Sequence, residues 1–291
     1  WDNNKQPDPQ QAKEKILANV HNGMVMLLHP TSATNAAILE DVIVTLKNEG
    51  YRFGRVDELC VPQSTSAELD YYKEKGMVFS ENPKSGKVVA LTFDDGPSGE
   101  LTERLLEGLA ERQVHATFFV CGYRIAEFPD TLSHIAAAGH EIGLHSSNHD
   151  YMQKMDYGTA LRDLTGCAKA VEDACGVRAQ LFRPPGGLYG DTLLRAAKDA
   201  GLSVILWSVD PCDWNEAAWD GVLPTVLSEA HDGRIILMHD LSAHSVTCAL
   251  QAVDRLQAQG YTFCTVSELA ALRGTALLPG EVYTGFPPLD G

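Results

Sequence analysis

From Lys87 onward, short runs of Val, Ile, Leu and Phe alternate with longer segments whose apolar residues recur three and four positions apart. The short runs predict strands at 87–93, 116–120, 140–144, 180–183, 203–208, 235–239 and 261–264. They are apolar at successive positions, as strands buried on both faces are. The longer segments predict helices at 99–113, 130–138, 157–174, 190–200, 217–230 and 245–259, and Gly201 and Gly260 stand where two of these should stop. Strand and helix alternate strictly through seven units, which predicts an α/β fold with a parallel sheet: an incomplete barrel or a doubly wound sheet.

The first 60 residues break this pattern and partly repeat its end. Residues 20–59 align without a gap on 230–269 at an offset of 210, with 13 of 40 positions identical. The matches include Gly23, His29, Leu46, Gly50, Tyr51 and Phe53 against Gly233, His239, Leu256, Gly260, Tyr261 and Phe263. Such spacing of turn and strand residues marks a partial copy of a domain's closing portion, although two unrelated strand–helix–strand units of similar pattern would also align. The expected organisation is a partial repeat at 1–60, a polar linker at 61–84, a complete domain at 85–272 and a tail at 273–291. In the repeat, a strand is expected at 24–28 and a helix at about 34–48.

Hydrophobic residues make up 44% of the 291 positions, enough for a sizeable core. A formal charge of −16 excludes non-specific binding to nucleic acid or to an anionic membrane surface, both of which call for clustered Lys and Arg. No run of about twenty apolar residues is present to span a bilayer. The seven cysteines form no CxxC pair, and their odd number leaves at least one thiol unpaired within the chain. Cys167 and Cys175 flank one helical stretch, whose rise would hold them about 12 Å apart, too far for a disulfide. The sequence begins at Trp1 without Met, so any export signal is expected upstream.

Residues able to bind metal or move protons collect where the predicted strands end, the rim at which βα barrels place their sites. The first strand runs into Asp94-Asp95-Gly96-Pro97. Adjacent carboxylates in a recess call for a compensating cation or hydrogen-bond donors, although Asp-Gly-Pro is also ordinary turn chemistry. His145 and His149 are four apart, a spacing that lets two imidazoles reach one ion or merely places two histidines on a surface. With a carboxylate they make a two-histidine, one-carboxylate set that leaves coordination positions open. Arg183-Pro184-Pro185-Gly186-Gly187 pairs a permanent cation with a loop able to present backbone N–H groups. Asp210 to Trp214 follow the next strand and Leu237 to Asp240 end the one after it, and taken singly these read as a turn aspartate and a core histidine.

In this order TFDDGP (92–97), HSSNH (145–149), RPPGG (183–187), DPCDW (210–214) and LMH (237–239) resemble the five motifs of the family-four carbohydrate esterases, the polysaccharide deacetylases. The resemblance covers about 85–270 and implies an incomplete (β/α)7-like barrel that hydrolyses N-acetyl groups of a peptidoglycan or chitin-like glycan, with O-deacetylation of acetylated xylan as the alternative. It implies that Asp95, His145 and His149 hold a divalent metal, zinc first and cobalt or a similar ion second. Asp94 is then the general base, oriented by Arg183, and His239 the general acid, held by Asp213. Gly186 offers an N–H to the oxyanion, Leu237 lines the pocket for the acetyl methyl, and Trp214 walls the groove.

At one position the chain departs from the pattern. Residue 186 is aromatic in the family motif and Gly here, which keeps the N–H and removes a wall facing the sugar. In the partial repeat, Trp1 and Leu27-Leu28-His29 fall where the fourth and fifth motifs would be, but TFDDGP and HxxxH have no counterpart, so His29 is expected to be structural. The resemblance further implies a glycan partner and action outside the cytoplasm or at the cell envelope.

Overall fold

Side-chain alternation along each strand decides which residues meet helices and which meet the interior of the sheet. The structure, a computed structural model, describes residues 7–18, 20, 32–48, 53 and 87–287. The chain divides into two units, Trp1–Gly76 and Met77–Gly291.

In the larger unit the elements are β1 (Lys87–Asp94), α3 (Glu100–Glu111), β2 (Thr117–Val120), α4 (Gly122–Glu127), α5 (Pro129–Ala137), β3 (Glu141–Leu144), α6 (Tyr157–Cys175), β4 (Leu181–Phe182), α7 (Asp191–Asp199), β5 (Ser203–Ile205), α8 (Trp219–Glu229), β6 (Ile235–His239), α9 (Ala243–Ala258), β7 (Tyr261–Cys264), α10 (Val266–Leu272) and β8 (Val282–Tyr283). Every named strand pairing is parallel, in the order β6-β1-β2-β3-β4-β5-β8. Strand β1 pairs with β6 along Ala90–Asp94 on one edge and divides its other edge between β7 along Lys87–Ala90 and β2 along Thr92–Asp94. Beyond β5 the chain touches β6 through a single isolated bridge, Val209 to Ile236, with Leu237 N–H donating to Val209 O at 2.9 Å. A bridge where a full strand pair would close the ring makes this an incomplete barrel.

Odd-numbered β1 residues Val89, Leu91 and Phe93 join Phe118, Leu144, Phe182, Ile236 and Met238 in the layer between sheet and helices. Even-numbered Val88 and Ala90 join Phe119, Leu181, Ile205 and Ile235 inside the barrel. A fully buried Val, Leu, Ile, Phe or Met side chain contributes about 1.5–3 kcal/mol, so both faces of the sheet are apolar at its base. The motif-bearing ends lie farther along those inward rows.

Six of the seven expected strands are recovered to within a residue or two at their ends. The exception is 203–208, whose regular pairing ends at Ile205. The carbonyls of Ile205 and Leu206 turn to Arg183 instead, at 3.1 and 2.9 Å. An eighth strand, β8, pairs with β5 at Val204–Val282 and Ile205–Tyr283. The sheet therefore continues past 272, into residues read from sequence as a tail. Helices α4 and α10 were also not expected. Gly201 and Gly260 follow α7 and α9 with φ of 76° and 84°, the left-handed conformation that ends a helix. All six cysteines among the described residues are free, Cys167 and Cys175 included, and none of the described helices is long and apolar enough to cross a membrane.

In the smaller unit, α1 (Pro9–Leu17) starts at Asp8, whose side chain accepts from Gln11 N–H, and α2 (Ala33–Asn48) follows. Ile38, Val42 and Leu46 of α2 are buried against Ala12, Ile16, Leu17 and Val20. At the offset of 210, α2 coincides end for end with α9 (Ala243–Ala258), and Ile38, Val42 and Leu46 fall on the buried Cys248, Ala252 and Leu256. The expected strand 24–28, His29, Trp1, Cys60 and the linker 61–84 lie outside the described residues.

Candidate active site

The period-two rows that are apolar at the base of the barrel turn polar at its C-terminal rim. Beyond Val88 and Ala90, β1 carries Thr92 and Asp94; beyond Leu181, β4 runs into Arg183; beyond Ile235, β6 carries Leu237 and His239. The register sets Asp94 beside His239 and Phe119. His145 follows β3 directly. Between them lie tight turns: Asp95, Ser146, His149 and Cys212 have φ of 72°, 64°, 59° and 54°, four of the five non-glycine residues with positive φ among the described residues. Each such conformation costs on the order of 1–3 kcal/mol, and their clustering at one rim marks a functional constraint.

Arg183 is wholly buried and Asp94 only 2% exposed. The guanidinium donates from Nη1 to Asp94 Oδ1 at 2.7 Å and to Thr92 Oγ1 at 2.8 Å, and its face lies 4.0 Å from the Phe119 ring centroid. Burial draws the Arg183 pKa below its ordinary value, while Asp94 acts in the opposite direction. The other Asp94 oxygen lies 3.7 Å from His145 Nε2. His145 Nδ1 is 2.7 Å from the Arg183 carbonyl and, as its donor, leaves Nε2 with a lone pair toward the carboxylates.

Asp95 Oδ1 lies 3.1 Å from His145 Nε2 and 3.2 Å from His149 Nε2. That oxygen is buried and has no aligned hydrogen bond. One ligand atom from each of Asp95, His145 and His149 falls within 4.8 Å of the others. Burial alone would raise the Asp95 pKa, but His145, His239 and His149 hold it below the usual carboxylate value. An ionised carboxylate with two imidazole nitrogens aimed at its orphaned oxygen fits a divalent cation.

His239 Nδ1 is 2.7 Å from Asp213 Oδ1, and the His239 backbone N–H donates to Asp213 Oδ2 at 2.9 Å. These two bonds leave Nε2 facing the cluster, 4.0 Å from Asp95 Oδ2. Burial opposes the charge on His239, but the bond to Asp213 and the fields of Asp213, Asp94 and Asp95 outweigh it and raise the imidazolium pKa to about 9.

The structure thus gathers Asp94, Asp95, His145, His149, Arg183, Asp213 and His239 into one connected set. The other three expected residues occupy the surrounding strand ends. Gly186 sits with φ 65° in the 3₁₀ turn Pro185–Gly187, Trp214 is 64% exposed, and Leu237 is buried one inward step below His239.

The sequence model of the polysaccharide deacetylase family matches residues 81–205. A Bacillus cereus peptidoglycan-N-acetylglucosamine deacetylase is 36% identical over 199 residues, 67% of this chain and 93% of the relative. The chain belongs to the polysaccharide deacetylase family. Peptidoglycan-N-acetylmuramic acid deacetylase PdaC of Bacillus subtilis is 34% identical over 219 residues, 70% of this chain but 46% of that protein, so the chain spans less than half of this longer relative. Among solved structures, a family 4 acetyl xylan esterase from Clostridium thermocellum, in complex with cobalt, superposes with a TM-score of 0.64 at 30% identity, covering 69% of this chain and all of the esterase.

Three residues that support the site were not singled out from sequence. Thr92 accepts from Arg183 and donates its own hydroxyl to Ile236 O at 2.7 Å. Its position two before Asp94 on an inward row is the signal that could have found it. Asp240 is buried, with a pKa raised by burial to about 6, and it hydrogen-bonds the Thr102 hydroxyl. A Cβ at Gly96 would lie 2.6 Å from both Asp240 oxygens, so glycine at 96 lets the carboxyl pack under the Asp94–Asp95 turn. Tyr151 is the third.

Proposed function

We propose that the 87–287 unit is a zinc-dependent hydrolase that removes N-acetyl groups from amino-sugar residues of a peptidoglycan or chitin-like glycan and releases acetate. The observation that carries this reading is the convergence of Asp95, His145 and His149 beside two oriented proton carriers, Asp94 on Arg183 and His239 on Asp213. The names of the Bacillus relatives support the N-acetyl substrate and action at the cell envelope.

When bound, zinc supplies an electrophile that acidifies water and polarises the acetyl carbonyl. Asp94 takes the proton of the attacking water, its carboxylate held in line by Arg183. The Gly186 N–H donates to the oxygen that becomes negative as the tetrahedral centre forms. His239, as imidazolium, gives the Nε2 proton to the departing amine, while Asp213 fixes the tautomer by holding Nδ1–H. Leu237 bounds the pocket for the acetyl methyl, and Trp214 offers an exposed indole at the groove.

Acetate release from peptidoglycan, chitooligosaccharide and acetylxylan, assayed side by side, tests the reading. Release from either N-acetyl substrate is expected, abolished by a chelator and restored by zinc or cobalt. Release from acetylxylan alone would favour the second reading, O-deacetylation, which the acetyl xylan esterase structure supports.

The raised His239 pKa fixes the sign of a pH effect. A general acid must be protonated, so activity should fall on the alkaline side as the imidazolium loses its proton. Asp213→Asn removes the charge that raises that pKa and should move the alkaline limb of the kcat/KM profile down by about 1–3 pH units. A limb that stays in place separates His239 from the proton transfer.

A further inference from the structure

Seven large hydrophobic side chains are exposed among the described residues of the 87–287 unit, and six of them, Tyr123, Tyr151, Leu188, Tyr189, Trp214 and Leu241, stand in segments that leave the C-terminal ends of strands. Exposed aromatic groups collected around one rim mark a surface that meets a partly apolar ligand. Tyr151 is the most exposed of the three tyrosines at 62%, and its ring centroid lies 6.3 Å from that of His149.

Its backbone is nonetheless anchored. The next residue, Met152, is fully buried and opens the 3₁₀ turn Met152–Lys154, and a Cβ at Gly190 would lie 3.4 Å from Gln153 O. This loop therefore packs on the one that carries Gly186. A Cβ built at Gly186 would fall 3.0 Å from Tyr151 Cε1 and 3.7 Å from Cδ1, and the φ of 65° is itself unfavourable for a side chain. A side chain at 186 and the Tyr151 ring compete for one place.

We propose that Tyr151 is a specificity-determining residue that supplies the aromatic platform missing at position 186, stacking on a sugar ring of a β-linked N-acetylglucosamine oligomer beside the reacting residue. The platform thus comes from the loop after β3 rather than from the loop after β4. An aromatic face covers the apolar face of a pyranose, and the phenol hydroxyl at the ring's edge remains in solvent. This inference rests on the glycan reading of the site. It concerns binding, because the ring carries no proton needed by the reaction.

The test uses the full chain loaded with zinc and chitopentaose as the probe, with binding read by titration calorimetry and turnover by acetate release. Tyr151→Ala is expected to raise both Kd and KM about 3–10-fold, the usual worth of one aromatic stacking contact, with metal content retained. Tyr151→Phe should restore both, since it keeps the ring and loses only the hydroxyl. Unchanged Kd and KM in the alanine variant would overturn the proposal. So would a fall in kcat with loss of metal at constant KM, which would show that the ring only buttresses His149. If the parent chain binds chitopentaose but releases no acetate, the deacetylase reading fails, while the Kd comparison still decides the role of Tyr151. If it does not bind the oligomer at all, the platform proposal fails as well.

Discussion

Asp94→Asn is expected to lower acetate release by about 100- to 10,000-fold, the usual worth of a positioned general base, with zinc content unchanged. The amide is nearly isosteric and keeps an oxygen to accept from Arg183 Nη1, now 2.7 Å from the carboxylate. It leaves the buried guanidinium without its counter-charge, so the variant should also unfold at a lower temperature and is assayed well below its Tm. What disappears is the basic oxygen on the His145 side. Metal analysis beside the kinetics distinguishes the two aspartates. Loss of zinc in Asp94→Asn would exchange the roles of Asp94 and Asp95, and near-parental turnover would remove Asp94 from the chemistry.

The second large effect is on stability. Arg183 is a cation with no solvent exposure, bonded to Asp94, Thr92 and the carbonyls of Ile205 and Leu206. Arg183→Met preserves much of the volume but leaves Asp94 buried without its counter-charge and three further acceptors without a donor. Breaking a buried pair from one side costs about 3–5 kcal/mol. For a domain of this size that corresponds to a fall in Tm of about 6–20 °C. Arg183→Lys should recover only part of the loss, since one ammonium cannot serve acceptors spread around a planar fork. Thermal unfolding checks this, and a fall of less than about 2 °C would show that the pair is not needed to hold the barrel closed.

The barrel and its rim were legible because the strands are apolar on both faces and β1, β3, β4, β5 and β6 each lead into residues with distinctive chemistry. What was not legible depends on tertiary context. Strand β8 is two residues between Gly280 and Gly285, too short to carry a period, and exists because β5 offers an edge. Helix α4 begins at Gly122 and has six residues, so local propensity could not announce it. Helix α10 was announced: Thr265 and Glu268 form a capping box, a signal that lay unread in Thr-Val-Ser-Glu. The Asp-Pro start of α1 is a similar case. Residues 206–208 read as strand because Leu206 and Trp207 are apolar, yet Arg183 claims the Leu206 carbonyl and Arg234 that of Ser208. Tyr151 was invisible for a different reason: only packing shows that its ring lies where a side chain at 186 would begin.

The divided edge of β1 sets the timing of folding during synthesis. Asp94, Asp95, His145 and His149 have all been made by the time the ribosome has added residue 149, yet β1 cannot complete its hydrogen bonds until 235–239 and 261–264 emerge. Until Ile235 emerges the nascent chain carries a candidate metal-ligand set on a strand with one edge wholly unpaired, and the base of its other edge waits for Tyr261. Pairings so distant in sequence form late and slowly, and an open edge in the meantime invites association with other chains. A ribosome stalled before residue 235 would therefore present a sticky intermediate rather than a shorter working enzyme, and holding that flank apart until the last third arrives is a task for chaperones.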